Sequence, residues 1–138
     1  MNRISMHIVN ILFAMVFISC NSQNCISDVG FERPNDDSTA MDLITVMLNT
    51  NTNLEQKELD EIEKIKILIN EKDSIVSTGF FAVDSIDKNS INVRLRTLFF
   101  MRDNDFTEEK FKSFFVKNEE FKVVLTFEDK ELEFKKCK

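Results

Sequence analysis

The stretch STAMDLITVMLNTNTNLEQKELDEIEKIKILIN, Ser38–Asn70, decides the fold class. In its first part Ala40, Leu43 and Met47, with the neighbouring Ile44 and Leu48, form an apolar stripe at helical spacing. Ser38 or Asp37 stands where it can cap the first turn. This predicts a short helix over 38–49, ended by the polar break 49–53. Thr52-Asn53-Leu54-Glu55 matches a capping box, in which hydroxyl and carboxylate satisfy free N–H groups reciprocally. Leu59, Ile62, Ile65 and Ile69 then continue as a buried stripe, and Asp60 precedes Lys64 by four residues, the favourable order for a helical ion pair. A second helix is expected to about Lys72.

Downstream the period changes. Residues 75–86 are rich in Val, Ile and Phe, and Asp87-Lys88-Asn89-Ser90 reads as a turn. Ile91, Val93 and Leu95 alternate with Asn92, Arg94 and Arg96, which predicts a strand with one face in the core. Asp103-Asn104-Asp105 ends it. Thr107 can cap a helix through 117 that carries Phe111, Phe114 and Phe115. Phe121, Val123, Leu125 and Phe127 alternate again, Glu128–Lys130 turns the chain, and Leu132 and Phe134 lie on a last strand. The expected fold class is α+β: two N-terminal helices, then hairpin–helix–hairpin forming a small antiparallel sheet over 38–138.

Residues 20–37, polar and containing Pro34, the only proline, read as a tether. Residues 1–19 have the three parts of an export signal. Arg3 supplies the positive start. Ile8–Ile18 is an apolar run of 11 residues interrupted only by Asn10, shorter than the roughly 17–25 a membrane-spanning helix needs. Phe17-Ile18-Ser19-Cys20 follows, a small residue directly before a cysteine. That arrangement predicts a diacylglycerol on the Cys20 thiol and cleavage that leaves Cys20 as the new N-terminus. Cleavage after Ser22 by the ordinary export route is the alternative.

The sequence Phe17-Ile18-Ser19-Cys20-Asn21-Ser22 resembles the lipobox of outer-surface lipoproteins from Borrelia-type spirochaetes. Phe17 stands where most bacteria use Leu, Val or Ile. The composition, heavy in Asn, Lys, Ile and Phe, fits the same group, and an AT-rich genome accounts for it. The resemblance spans about 22 residues and implies a lipid anchor in the outer membrane at the cell surface. Phe106–Phe127, FTEEKFKSFFVKNEEFKVVLTF, resembles the helix-then-strand portion of complement-regulator-binding lipoproteins of those spirochaetes. That implies a host-protein partner and transfers no binding residues.

The chemistry that is missing narrows the function. The only histidine is His7, inside the export signal. The usual Ser–His–Asp and Cys–His nucleophile systems and His-ligated zinc sites are therefore excluded. The three cysteines have no C-x-x-C spacing. Gly30 and Gly79, the only glycines, cannot build a phosphate-binding loop. Asp103-x-Asp105-x-Thr107 begins like a calcium loop and fails at Glu108 and Phe114. No cofactor or metal is expected, and no catalytic residues. Asp and Glu are abundant, so a carboxylate hydrolase stays as the enzymatic alternative.

The net charge is −6; removing residues 1–19 takes away one Arg and no acid, which moves it to −7. Such a chain repels phosphate backbones, and nucleic acid is not an expected partner. Arg94, Arg96 and Arg102, with Lys110, Lys112 and Lys117 among Phe residues, are expected to pair with the chain's own acids. If Cys20 carries lipid, Cys25 and Cys137 remain, one at each end of the mature chain. Outside the cytoplasm they can pair, closing a loop of about 110 residues, or stay as two free thiols. The adjacent pairs Phe80-Phe81 and Phe99-Phe100 point to opposite faces if they lie on strands, so one of each needs a cover from a second layer, an oligomer or a ligand. The function expected is a lipoprotein held to the bilayer by its acyl chains and binding a host or environmental macromolecule. A structural or assembly role facing the periplasm is the alternative.

Overall fold

The structure, a computed structural model, describes residues 24–34, 41–98 and 105–138. Eight strands dominate it. They are β1 (Cys25–Glu32), β2 (Asp42–Asn49), β3 (Lys64–Leu68), β4 (Ser74–Ser77), β5 (Phe81–Asp87), β6 (Ser90–Thr97), β7 (Lys122–Thr126) and β8 (Glu131–Lys136). Two helices complete it: α1 (Gln56–Leu59) and α2 (Glu108–Lys117).

The α+β expectation with two N-terminal helices is overturned. Residues 42–49 form β2, and of the second expected helix only the single turn α1 exists before β3 begins. The cause is the spacing of the β-branched residues. On a helix, residues two apart point to opposite sides, so Ile44 and Val46, or Ile65 and Ile67, could not share one buried face. All four are 0% exposed, which only a strand allows. The helical stripe Leu59, Ile62, Ile65, Ile69 and the alternation Ile65, Ile67, Ile69 use the same residues, and the stiff β-branched side chains favour the extended form. The capping box also sits three residues later than expected: the N-cap is Glu55, whose N–H donates to Glu58 Oε2 at 3.0 Å. Thr107 does cap α2, accepting from the Lys110 N–H at 3.2 Å.

The expected tether 20–37 contains a second correction. Its residues 25–32 are β1, placed between β8 and β2 inside the sheet. Ile26, Val29 and Phe31 are buried. A bulge between Ile26 and Asp28 shifts the inward parity by one residue, which hides the alternation.

The strand order is β4-β3-β7-β8-β1-β2-β6-β5. All neighbours are antiparallel except β8 and β1, which run parallel over two residue pairs, Cys25 with Lys135 and Ile26 with Lys136. Two antiparallel halves of four strands therefore meet at a short seam. The two edge strands, β4 and β5, are joined by residues 78–80 alone. Four Cα steps span at most about 15 Å, whereas the edges of a flat eight-stranded sheet would stand about 34 Å apart. The sheet is thus rolled, and its inward faces form one core. Ile44, Val46, Leu48, Val93 and Leu95 come from one half, and Ile65, Ile67, Val123, Leu125 and Phe134 from the other.

Each helix covers a gap in the roll. At the edge of β5, the Gln56 side chain of α1 imitates a strand: its Nε2 donates to Val83 O at 2.8 Å, and its Oε1 accepts from Ser85 N at 2.9 Å. At the seam, β8 ends beside the first two residues of β1, and α2 packs on β1. Phe111 of α2 is fully buried, with ring centroids 6.1 Å from Phe31, 6.4 Å from Phe106 and 6.2 Å from Phe121. Between β1 and β2, Arg33 makes a bidentate pair with the buried Asp42, Nε to Oδ1 at 2.9 Å and Nη2 to Oδ2 at 3.0 Å.

The Cys25 and Cys137 sulfurs are bonded to each other, with their Cα atoms 4.8 Å apart. Cys137 N also donates to Ile26 O at 3.0 Å. Two outcomes are expected in denaturant unfolding. Phe111→Ala lowers stability by about 3–5 kcal/mol, the cost of an aromatic cavity in a closed core. Cys137→Ser lowers it by about 2–5 kcal/mol, because the unfolded chain regains a loop of 112 residues.

Candidate functional surfaces

The register defines two ends of the roll. Cys25 pairs with Asn49, which pairs with Ser90, and the end of β8 joins them. This is the entry end, where the described chain begins and where it finishes. Six residues along β2, Leu43 pairs with Arg96, and Arg96 N donates to Phe80 O at 2.9 Å. At about 3.4 Å per residue, this far end lies about 20 Å from the entry end.

Two exposed apolar side chains lie at the far end, Phe80 at 64% and Leu98 at 46% exposure. Phe81 points inward against the core and Phe80 outward, because neighbours on a strand face opposite ways. The Phe80 N–H donates to Ser77 Oγ at 3.1 Å, which fixes the link between β4 and β5. Arg96 lies beside Phe80 and donates to Met41 O at 3.4 Å. Of the second phenylalanine pair, Phe99 and Phe100, nothing is described, and the same holds for Arg102 and Asp103.

Two of the other cations singled out in the sequence are paired with acids of the chain. Arg94 meets Asp84 at 2.6 Å and Lys112 meets Glu108 at 3.0 Å, both in exposed pairs of small energetic weight. Lys136 Nζ donates to Val116 O at 3.0 Å, so a cation closes the C-terminal end of α2. Its stem leaves the ammonium 5.8 Å from the Phe115 ring centroid.

The candidate modification site, Cys20, lies outside the described residues, as does the export signal. Cys25 and Cys137 come together at the entry end, where Asn49 Nδ2 approaches Cys137 Sγ at 3.8 Å. The residues that sequence reasoning missed are Gln56, Arg33 and Asp42. An amide that substitutes for a strand and an ion pair nine positions apart leave no periodic trace. Asp42, an acid within an apolar run, was the available signal.

Among the described residues, no group of three or more Asp, Glu or Cys is placed to hold a metal ion. No helix among them is long and apolar enough to cross a membrane. Glu71 and Glu120 converge beside Lys122 and Lys135 in an open groove of about 330 Å³. Glu120 is exposed, and its pKa is raised, first by desolvation and then by the charge and hydrogen bond of Glu71, with Lys122 opposing. An open carboxyl pair among lysines provides no dry pocket around a reacting bond.

No family model matches the chain, and comparison with curated proteins and with solved structures finds no match.

The carboxyl pair yields a signed pH prediction. A raised folded pKa means the folded state holds the Glu120 proton longer than the unfolded chain does. Stability attributable to this group is full below the ordinary value of 4.5 and is lost as pH rises through the folded value. Glu120→Gln is therefore expected to be more stable than wild type at neutral pH, with the difference shrinking as the pH drops below that ordinary value. Urea melts at the two pH values check it; an advantage that grows in acid contradicts it.

Proposed function

We propose that the chain is an exported lipoprotein, acylated on Cys20, whose rolled β domain binds a host or environmental macromolecule through the end farthest from the anchor. The observation that carries this reading is the separation of the two ends. The chain enters at Cys25, five residues after the proposed anchor, and Phe80, Leu98 and Arg96 lie about 20 Å away along the strands. Exposed aromatic side chains and arginines are what protein interfaces use as anchors.

Two further features support export. A bond between Cys25 and Cys137 suits an oxidising compartment. The lipobox-like Phe17–Ser22 directs the chain there. A binding role suits a domain whose grooves are open and whose mature sequence carries no histidine. Net negative charge argues against nucleic acid as the macromolecule.

Acylation is tested by the intact mass of the membrane-extracted protein and by detergent partition. Wild type is expected to carry acyl chains and enter the detergent phase, and Cys20→Ser to lose both. Protease added to intact cells should digest the domain. Full protection until the outer membrane is broken would instead support a role facing the periplasm.

A further inference from the structure

We propose that α2 carries a second binding site, a groove floored by Phe114 and flanked by Lys110 and Lys117, that takes an acidic protein segment with an apolar side chain between two carboxylates. The site lies on a different element from Phe80 and Leu98, and it does not depend on acylation of Cys20.

The groove follows from the sequence of the helix. Lys110, Ser113, Phe114 and Lys117 stand at spacings of three, four and seven, so they share one face of α2. Phe111 and Phe115 serve the core: Phe111 is fully buried, and Phe115 packs against the buried cluster. Phe114 does not join them. Its ring stacks on the buried Phe106, with centroids 5.9 Å and planes 27° apart, and it remains 41% exposed. Phe106 covers one side of the ring, and the rest of it lines an open groove of about 520 Å³. Ser113 and Asn118 line the same groove. Asn118 is fixed at the helix end, its Nδ2 donating to Phe114 O at 3.0 Å. An apolar floor with a few placed polar groups is the general composition of a ligand site.

The charge of the groove has one sign. Lys110 and Lys117 are its charged lining residues, and both are exposed. Among the described residues, neither is paired with a carboxylate. The nearby acids lie elsewhere. Glu108 is held by Lys112 at 3.0 Å, and Glu119 is 3.9 Å from Lys136. Glu109 is turned about 100° round the helix from Lys110, and Asp105 does not line the groove. Seven helical residues separate the two lysine Cα atoms by about 10 Å, and three residues of extended chain cover about the same distance. A segment with carboxylates three positions apart therefore reaches both ammonium groups while a side chain between them lies on the Phe114 ring. A bare polyanion would leave the ring in water, and a purely apolar ligand would leave both lysines unused. Complementary charge at the rim and an aromatic floor together select the acidic, apolar segment.

The test titrates the full chain, isotope-labelled and held in a non-ionic detergent, with the end-blocked peptide Gly-Glu-Phe-Ala-Glu-Gly and follows amide chemical shifts. Amides of 106–118 are expected to move and those of 78–81 to stay. Replacing the peptide's Phe by Ser, or both its Glu by Gln, should weaken binding roughly tenfold in each case. Raised salt should erase the preference for Glu over Gln. The double variant Lys110→Gln, Lys117→Gln should lose that preference and keep the one for Phe, and Phe114→Ser should do the reverse. The two lysines are exposed, so the double variant should melt with wild type and keeps the test valid if Phe114→Ser unfolds. Equal affinity for the three peptides, no binding of the first, or shifts confined to another face overturns the site. The readings of the anchor and of the far end, tested by mass and by protease, stand or fall separately.

Discussion

The parallel seam between β1 and β8 holds the rest of the structure in place. It consists of two residue pairs, whereas every other strand contact is a longer antiparallel ladder. Two pairs of parallel hydrogen bonding are a weak join on their own. Three further contacts act at the same spot: the covalent bond between Cys25 and Cys137, the Cys137 N–H to Ile26 O bond, and the packing of α2 on β1. In the chain-entropy description, a cross-link over so long a loop removes about 4–5 kcal/mol of freedom from the unfolded chain. That is comparable with the whole stability of a small domain, about 5–15 kcal/mol. The two antiparallel halves depend on this join to share one core.

Rolling the sheet solves the burial problem that a flat sheet would leave. Eight short strands with one apolar face each need a second layer, and the two helices, of 4 and 10 residues, are too short to provide it. The halves cover each other instead, so Ile44 and Val93 face the same interior as Ile67 and Val123. The helices do smaller tasks at the openings. Gln56 satisfies backbone groups at the β5 edge, which also removes part of a free edge that could pair with another chain. Phe111 fills the space beside β1 with a ring in contact with three others.

The second half of the chain was legible because its signals agree. Strict alternation in 91–95 and 121–127, turn residues at 87–90 and 128–130, and the Thr107 cap each specify one local form, and the structure has them there. The first half was misread because its residues satisfy two periods at once. Leu59, Ile62, Ile65 and Ile69 lie on a helical stripe, yet the buried Ile67 is compatible only with a strand. β1 was hidden by its bulge and by the polar residues around it. At the surface, the doubled Phe80-Phe81 signalled that one ring must face away from the core, but which ring, and which end of the fold it would occupy, depended on strand order. Strand order in turn depended on β1, so one missed strand concealed the placement of Phe80.

Strand order also decides which side chains the architecture brings together. A catalytic site needs groups that converge in a protected volume. Here Glu71 and Glu120 converge in a groove open to water beside two lysines. The seam fixes an orientation: by holding Cys25 and Cys137 at one end, it makes the position of Phe80 and Leu98 relative to that end a property of the fold. On the proposal that Cys20 is acylated, the constraint that compensates for a weak strand pairing also turns those exposed side chains away from the anchor.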